Sequence, residues 1–252
     1  MNNLNFNHIH LAESDMLNNV IGWVYQSGKI AMRYFNNVVP EWKSDDTFLT
    51  QADLEVQKFL AEKIHETYPS HGFIGEENDG ERDNNHASDI WVIDPIDGTT
   101  VFVQGLPGWG IAVGLLSNGN PKFGVFYMPL LNDISYTTNN GAYYNNQRLE
   151  NTIKSDWHQK GFLGINSTAY VDYHIDVRHT RTLGSISANL VYVARGSAVA
   201  TFIPKARLWD LVAGAAILNQ VGGEMRYLSG KPINYLDLLS SHAWEVMNGY
   251  TR

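Results

Sequence analysis

The segment Ile93 to Thr100 reads IDPIDGTT and places two carboxylates, Asp94 and Asp97, three residues apart at the end of an apolar run. Pro95 stands between them and fixes the backbone of the turn. Gly98 then permits close backbone approach, and Thr99 and Thr100 supply hydroxyls where a helix could open. Hard divalent cations take oxygen ligands, and a helix N-terminus offers free N–H groups to a phosphate. One loop of this composition could therefore hold a metal on one side and a phosphoryl group on the other. An Asp-rich turn that only caps a helix explains one acid and the glycine, but not both acids beside an apolar strand. An aspartyl-nucleophile phosphatase of the haloacid-dehalogenase type needs its carboxylates two residues apart before Gly-Thr. The residue two before Gly98 is Ile96, so that chemistry fails on spacing.

The charge of the whole chain bears on the same question. Its 252 residues carry a formal charge of −8 and no cysteine, which excludes disulfide scaffolds and cysteine-ligated metals. Between Glu41 and Asp97 fifteen acidic residues face only four basic ones, Lys43, Lys58, Lys63 and Arg82, while the remainder is slightly basic. Such a concentration is either a solvated acidic face or, in part, a cation site. The sign of the charge disfavours a nucleic-acid partner, because phosphate backbones reward Lys and Arg. With 44% hydrophobic and 17% charged residues the chain is a packed globular protein, of a length for one large domain or two interlocked ones. The opening MNNLNFNHIHL has neither a basic nor a long apolar stretch, and no run of 18 apolar residues occurs, so a reduced, cytoplasmic protein with no membrane partner is expected. The His8 and His10 pair reads as a polar tail, and the sequon at Asn166 to Thr168 as chance in the absence of a secretory route.

The elements that must position the acids can be read from periodicity. Apolar residues at Leu17, Val20, Ile21, Val24, Ala31 and Phe35 predict an amphipathic helix over 16–35. After a polar loop from Lys43 to Asp46, Thr50 and Asp53 have capping-box spacing and open a second helix with Leu54, Phe59, Leu60 and Ile64 on its buried stripe. Tyr68, Pro69 and Ser70 end it, and the short apolar piece Gly72 to Gly75 delivers Glu76 and Glu77. Asn78 to Asn85 reads as a mobile loop, and Trp91 to Ile93 as a buried strand. The pattern from Gly110 to Tyr136 is strand, turn, strand, with an Asn-Gly hairpin signal at Asn118 and Gly119 and another at Asn140 and Gly141. Past about Glu150 come a short strand over 161–165, a helix near 187–193 and a small-residue helix over 210–221, stopped by Gly222 and Gly223. This is a layered mixed α and β protein without an internal repeat.

Three motifs together carry a resemblance: Phe73 to Glu77 (FIGEE), Trp91 to Thr100 (WVIDPIDGTT) and Leu208 to Gly214 (LWDLVAG). In order and approximate spacing the chain resembles the inositol monophosphatase family, the lithium-sensitive, magnesium-dependent phosphatases. Lys43 with Asp53, Gly141 to Leu149 and Arg181 to Ser185 are further landmarks, so the likeness spans roughly 43–223. It implies a layered αβαβα sandwich of the inositol monophosphatase and fructose-1,6-bisphosphatase type. An N-terminal α+β part would cover 1–150 and a C-terminal α/β part 151–252, interlocked as one catalytic unit with the site at the junction.

The resemblance also implies roles. Glu76, Asp94, Asp97, Asp210 and the backbone carbonyl of Ile96 would bind two or three Mg²⁺ ions. Gly98 and Thr99 would give backbone N–H groups to the phosphate, Ser185 would stand with Asp97 and Asp210 at the substrate, and Thr99, hydrogen-bonded to Asp53, would orient the attacking water beside Glu76. Electrostatics agrees, since Asp53, Glu76, Asp94, Asp97 and Asp210 could not share a cleft without cations to offset their repulsion. The activity implied is hydrolysis of a small phosphorylated alcohol, inositol 1-phosphate first, by a homodimer. Relatives acting on fructose 1,6-bisphosphate, 3′-phosphoadenosine 5′-phosphate or histidinol phosphate keep the alternatives open, as does a regulatory binding protein that retains the fold. Two positions depart from the pattern: Val101 stands where Asn is usual, and Ile203 where animal relatives hold an inositol hydroxyl with Glu. The nearby Lys205 and Arg207 could instead meet a second anionic group.

Overall fold

The structure, a computed structural model, describes residues 11–43, 47–77, 82–83, 86–150, 152–153, 157, 160–240 and 247–250. His8 and His10, Ser44 to Asp46 and most of the polar stretch from Asn78 to Asn85 lie outside these residues. Two helices open the chain, α1 (Leu11–Tyr34) and α2 (Gln51–Thr67), joined across a small antiparallel pair, β1 (Glu41–Trp42) and β2 (Phe48–Leu49). The capping box expected at Thr50 is present: its hydroxyl accepts from the N–H of Ala52 and of Asp53, while the Asp53 carboxylate accepts from the Thr50 N–H.

The central layer is an eight-stranded sheet. Its strands are β3 (Gly72–Gly75), β4 (Arg82–Asp83), β5 (Asp89–Asp97), β6 (Gly110–Ser117), β7 (Asn120–Met128), β8 (Asp133–Thr138), β9 (Gly141–Tyr144) and β10 (Gln147–Arg148), in the order β10-β9-β8-β7-β6-β5-β3-β4. Only β3 and β5 run parallel; the other pairs are antiparallel. The middle strands are apolar almost throughout because both faces are covered. In β5, Trp91 and Ile93 pack under α1 and α2, whereas Ile90 and Val92 face the opposite core. The Asn118 and Gly119 turn, at φ 49° and 76°, closes the β6–β7 hairpin as its sequence requires.

The second half of the chain adds β11 (Leu163–Ile165), α4 (Ala169–Asp172), β12 (Thr180–Arg181), α5 (Ile186–Ala194), β13 (Ala200–Ile203), α6 (Leu208–Gln220), β14 (Glu224–Tyr227), α7 (Tyr235–Ser240) and β15 (Met247–Tyr250). Between β5 and β6 lies one further short helix, α3 (Thr99–Val103). Helices α5 and α6 cover the free face of the large sheet, and beyond them stands a five-stranded sheet ordered β12-β11-β13-β15-β14. Ile165, Ala169, Phe202 and Tyr173 form a small cluster on the outer face of that sheet. The layers are therefore helix, sheet, helix, sheet and a thin outer helical layer, which is the sandwich expected. Small residues let α6 lie directly on the large sheet: a Cβ on Gly124 would stand 2.3 Å from the carbonyl oxygen of Ala213, and one on Gly114 2.6 Å from Val212. Among the described residues no helix is long and apolar enough to cross a membrane.

Candidate active site

Adjacent parallel strands set the site. Gly75 at the end of β3 lies beside Ile93 in β5, and the Glu76 N–H continues the ladder to the Ile93 carbonyl at 3.2 Å. Glu76 and Asp94 thus leave neighbouring strands at the same end, the place where parallel sheets bind ligands. The strand expected over Trp91 to Ile93 is longer: β5 runs to Asp97, with its register against β6 shifted between Asp94 and Asp97. That irregularity puts Asp94, Ile96 and Asp97 on one wall of a cleft of about 930 Å³, joined there by Glu76, Gly98, Thr99, Ser185 and Asp210. The family motifs, scattered through the sequence, are collected into one cavity.

Each carboxylate is held by the chain. Asp94 accepts the Ile96 N–H at 3.0 Å, folding its own loop. Asp97 accepts the N–H groups of Ile186 at 3.0 Å and Ser187 at 2.6 Å, so the first turn of α5 grips it from the other half of the chain. Asp210, three residues into α6, accepts the Arg207 N–H, and the Ser187 hydroxyl donates to the Asp210 carbonyl at 3.1 Å. Glu76 meets Lys43 at 2.8 Å, and the same ammonium reaches Glu77. Thr99 Oγ lies 3.1 Å from the Ile96 carbonyl and 3.4 Å from Asp53 Oδ1, and its single proton serves one of them at a time. Asp53, fully buried, is pinned through its other oxygen by the backbone and hydroxyl of Thr50.

Burial and mutual repulsion raise the acids. Burial pushes Asp53 up to about 7, against the Thr50 hydrogen bonds. Asp94 is lifted well above the ordinary range, first by burial and then by Glu76, Asp97 and Asp210. Asp210 is lifted in the same way, by burial and then Asp97. Asp97 is also raised by burial, with the hydrogen bonds from Ser187, Ser185 and Ile186 opposing. Burial, then Glu76 and Asp53, carries Glu77 to about 8. Burial of the Lys43 ammonium works against its charge, yet Glu76 and Glu77 outweigh it and hold the group above its usual value.

The donors facing this cleft are carboxylates, hydroxyls and carbonyls, with no histidine among the lining residues. Such a set suits a hard divalent cation of the Mg²⁺ kind rather than a soft one. Among the described residues no three of these side chains already stand as a closed metal-holding group. Each carboxylate oxygen has two lone pairs, however, and a single N–H donor occupies only one. The acids are thus oriented by the fold while keeping lone pairs for a cation.

The sequence over residues 13–247 matches the profile of the Inositol monophosphatase family. The chain belongs to this family. An inositol-1-monophosphatase of Bacillus subtilis (strain 168) is 31% identical over 229 residues, covering 85% of this chain and 86% of the relative. A fructose-1,6-bisphosphatase/inositol-1-monophosphatase of Thermotoga maritima is 31% identical over 196 residues, covering 74% of this chain and 73% of its own. The solved structure of a Thermotoga maritima IMPase superposes with a TM-score of 0.81 at 26% identity, over 93% of this chain and 92% of that one. Membership of the family makes the protein a phosphoric monoester hydrolase.

Several features of the cleft were not legible from the motifs. Ser185 lines the cavity as expected, but its hydroxyl accepts the Ala188 N–H at 2.9 Å as the cap of α5 and also supports Asp97. Lys205 and Arg207 are not among the cleft-lining residues: Lys205 is exposed, and the Arg207 backbone caps Asp210. Asn166, Ser167 and Thr168, which the sequence offered only as a chance sequon, form part of the cavity wall with Thr182, Asn189 and Tyr192. Ile203 is fully buried in β13 and is not among the cleft-lining residues. Val101 packs its methyl groups where a Cβ on Gly184 would stand, 2.6 Å away, and so wedges the two halves of the site together.

Proposed function

We propose that the protein is a Mg²⁺-dependent phosphomonoesterase acting on a small, singly phosphorylated alcohol, inositol 1-phosphate first. The observation that carries this is the convergence of Glu76, Asp94, Asp97 and Asp210 from three chain segments on one cleft beside Thr99. These four carboxylates and the Ile96 carbonyl would hold two or three ions. When bound, the ions supply charge neutralisation and Lewis acidity toward the ester.

The chain supplies the rest. Thr99, held between Asp53 and Ile96, positions the attacking water with Glu76 beside it and can pass its proton toward Asp53. Gly98 and Thr99, at the start of α3, present N–H groups that no preceding helical turn uses, and these face the phosphate. Ser185 keeps Asp97 in place, and Asp97 and Asp210 meet the substrate. Catalysis is positioning and electrostatics.

The cleft wall favours one phosphate over two. Among the described lining residues none is Lys, Arg or His. Lys43 is engaged by Glu76 and Glu77, Arg195 by Asp133 at 3.0 Å, and the Arg181 guanidinium lies over the Phe162 ring. Among the described lining residues a second phosphate would meet no cationic side chain, whereas neutral hydroxyls would find Asn166, Ser167 and Thr168. This ranks inositol 1-phosphate above fructose 1,6-bisphosphate and 3′-phosphoadenosine 5′-phosphate, although the Thermotoga relative carries both enzyme names. A homodimer and a cytoplasmic location belong to the same reading.

Phosphate release from inositol 1-phosphate, fructose 1-phosphate and fructose 1,6-bisphosphate, with Mg²⁺ and after EDTA, tests it. Turnover should vanish with EDTA, return with Mg²⁺ and favour the fructose monophosphate over its bisphosphate. No metal-dependent release from any phosphorylated alcohol would overturn the phosphatase assignment; preference for the bisphosphate would overturn only the ranking.

A further inference from the structure

The glycine of the Gly-Glu-Glu motif has a partner eighteen residues earlier in another element. Gln57 lies in α2, four residues after Asp53 and therefore on the same helix face. Its side chain is 2% exposed, and its carboxamide makes a pair of bonds to one residue: Oε1 accepts the Glu77 N–H at 2.8 Å and Nε2 donates to the Glu77 carbonyl at 3.2 Å. The amide thus imitates a strand partner for the backbone just past β3. The fit against Gly75 leaves no room, since a Cβ there would stand 2.4 Å from Gln57 Oε1 and 2.5 Å from its Cδ. No positive φ explains this glycine; the Gln57 amide plane does.

Glu76 sits between the two residues so fixed. Gly75 is packed against the Gln57 amide and Glu77 is bonded through both of its backbone groups, and the carboxylate between them lies at Lys43 on the cleft wall. The same face of α2 carries Asp53 to Thr99, so a single helix sets the position of both groups. The buried amide gives specificity because its donor and acceptor cannot be exchanged without leaving a buried polar group unpaired.

We propose that Gln57 is a positioning residue for the cation site, locking the Gly75–Glu77 turn so that Glu76 is presented to the metal, and that Gly75 is glycine to admit it. This rests on the reading of Glu76 as a metal ligand. Groups that orient ligating carboxylates typically change metal affinity by roughly 10–100-fold when removed. The test uses the intact protein and Mn²⁺ as the probe, with free Mn²⁺ followed by electron paramagnetic resonance and no substrate present. Gln57→Met keeps the volume and deletes both hydrogen bonds. Its Mn²⁺ affinity should fall roughly tenfold, the Mg²⁺ needed for half-maximal activity should rise by a similar factor, and KM at saturating Mg²⁺ should stay within about twofold. Gly75→Ala should weaken Mn²⁺ binding further than Gln57→Ala, and the double variant Gly75→Ala/Gln57→Ala should return to the Gln57→Ala level because the clash is gone. Unchanged Mn²⁺ affinity in a folded Gln57→Met protein, or no rescue in the double variant, overturns the proposal while leaving the metal site intact. Failure of the wild-type protein to bind Mn²⁺ overturns the metal reading itself, and this inference with it.

Discussion

Replacing Asp53 by Asn separates the stability of the site from its chemistry. Asp53 is fully buried, and its carboxyl is pushed from an ordinary value of 3.8 to about 7, chiefly by burial. A folded state that holds a proton which the unfolded chain releases loses stability as pH rises between those two values, and the loss is complete above about 7. At about 1.4 kcal/mol per unit, the shift corresponds to an upper limit of about 4 kcal/mol at pH 8. Asn carries no charge and can still accept from the Thr50 N–H and hydroxyl, while its amide can donate to Thr99. The variant should therefore match the wild-type protein near pH 4 and exceed it progressively toward pH 8. At roughly 2–4 °C per kcal/mol for a chain of this size, half of the limit alone would raise Tm by about 4–8 °C. Activity should move the opposite way, falling by about 10²–10⁴, because Thr99 loses its proton acceptor. The measurements are Tm by calorimetry from pH 4.5 to 8.5 in EDTA, and kcat at saturating Mg²⁺. Destabilisation of equal size at every pH would refute the burial argument, and retained kcat would refute the role of Asp53 behind Thr99.

Further outcomes follow from other contacts. Asp97→Asn should lower kcat/KM on the order of 10³-fold, because it loses a charge at the cleft, while keeping an acceptor for one of the two α5 N–H groups and a native circular dichroism spectrum. Gly98→Ala should cost at least about 1–2 kcal/mol in urea denaturation, since φ is 101° and the added Cβ would stand 3.0 Å from the Gly184 carbonyl oxygen. Arg195→Met should cost about 3–5 kcal/mol by the same assay, because it strands the buried Asp133 carboxylate and removes the cation from the Tyr144 and Tyr192 rings. An Asp133→Asn change added to Arg195→Met should recover much of that loss by removing the stranded charge.

The departures from expectation have physical causes. The helix period, the Thr50 capping box and the Asn-Gly turns are local features, and the corresponding elements form where they point. Ser185 lines the cleft, but the sequence did not show that its hydroxyl also accepts the third N–H of the helix it opens. Lys205 and Arg207 are close to Asp210 in the chain, yet strand β13 and the opening of α6 carry them past the cleft rather than into it.

By itself the sequence determined the types of group that could do chemistry and the strands and helices that carry them, because hydrophobic period, capping and turn preference act over a few residues. It also determined the family, since three motifs in fixed order are hard to meet by chance. Only the tertiary structure decided which donors hold each acid: Asp97 on the first turn of α5 from a distance of 89 residues, Glu76 on Lys43, and Glu77 on Gln57. It also decided that none of the described residues lining the cleft is Lys, Arg or His. Those choices depend on which side chains the packing of α2, α5 and α6 against one sheet brings within hydrogen-bond range, and no local pattern encodes that distance.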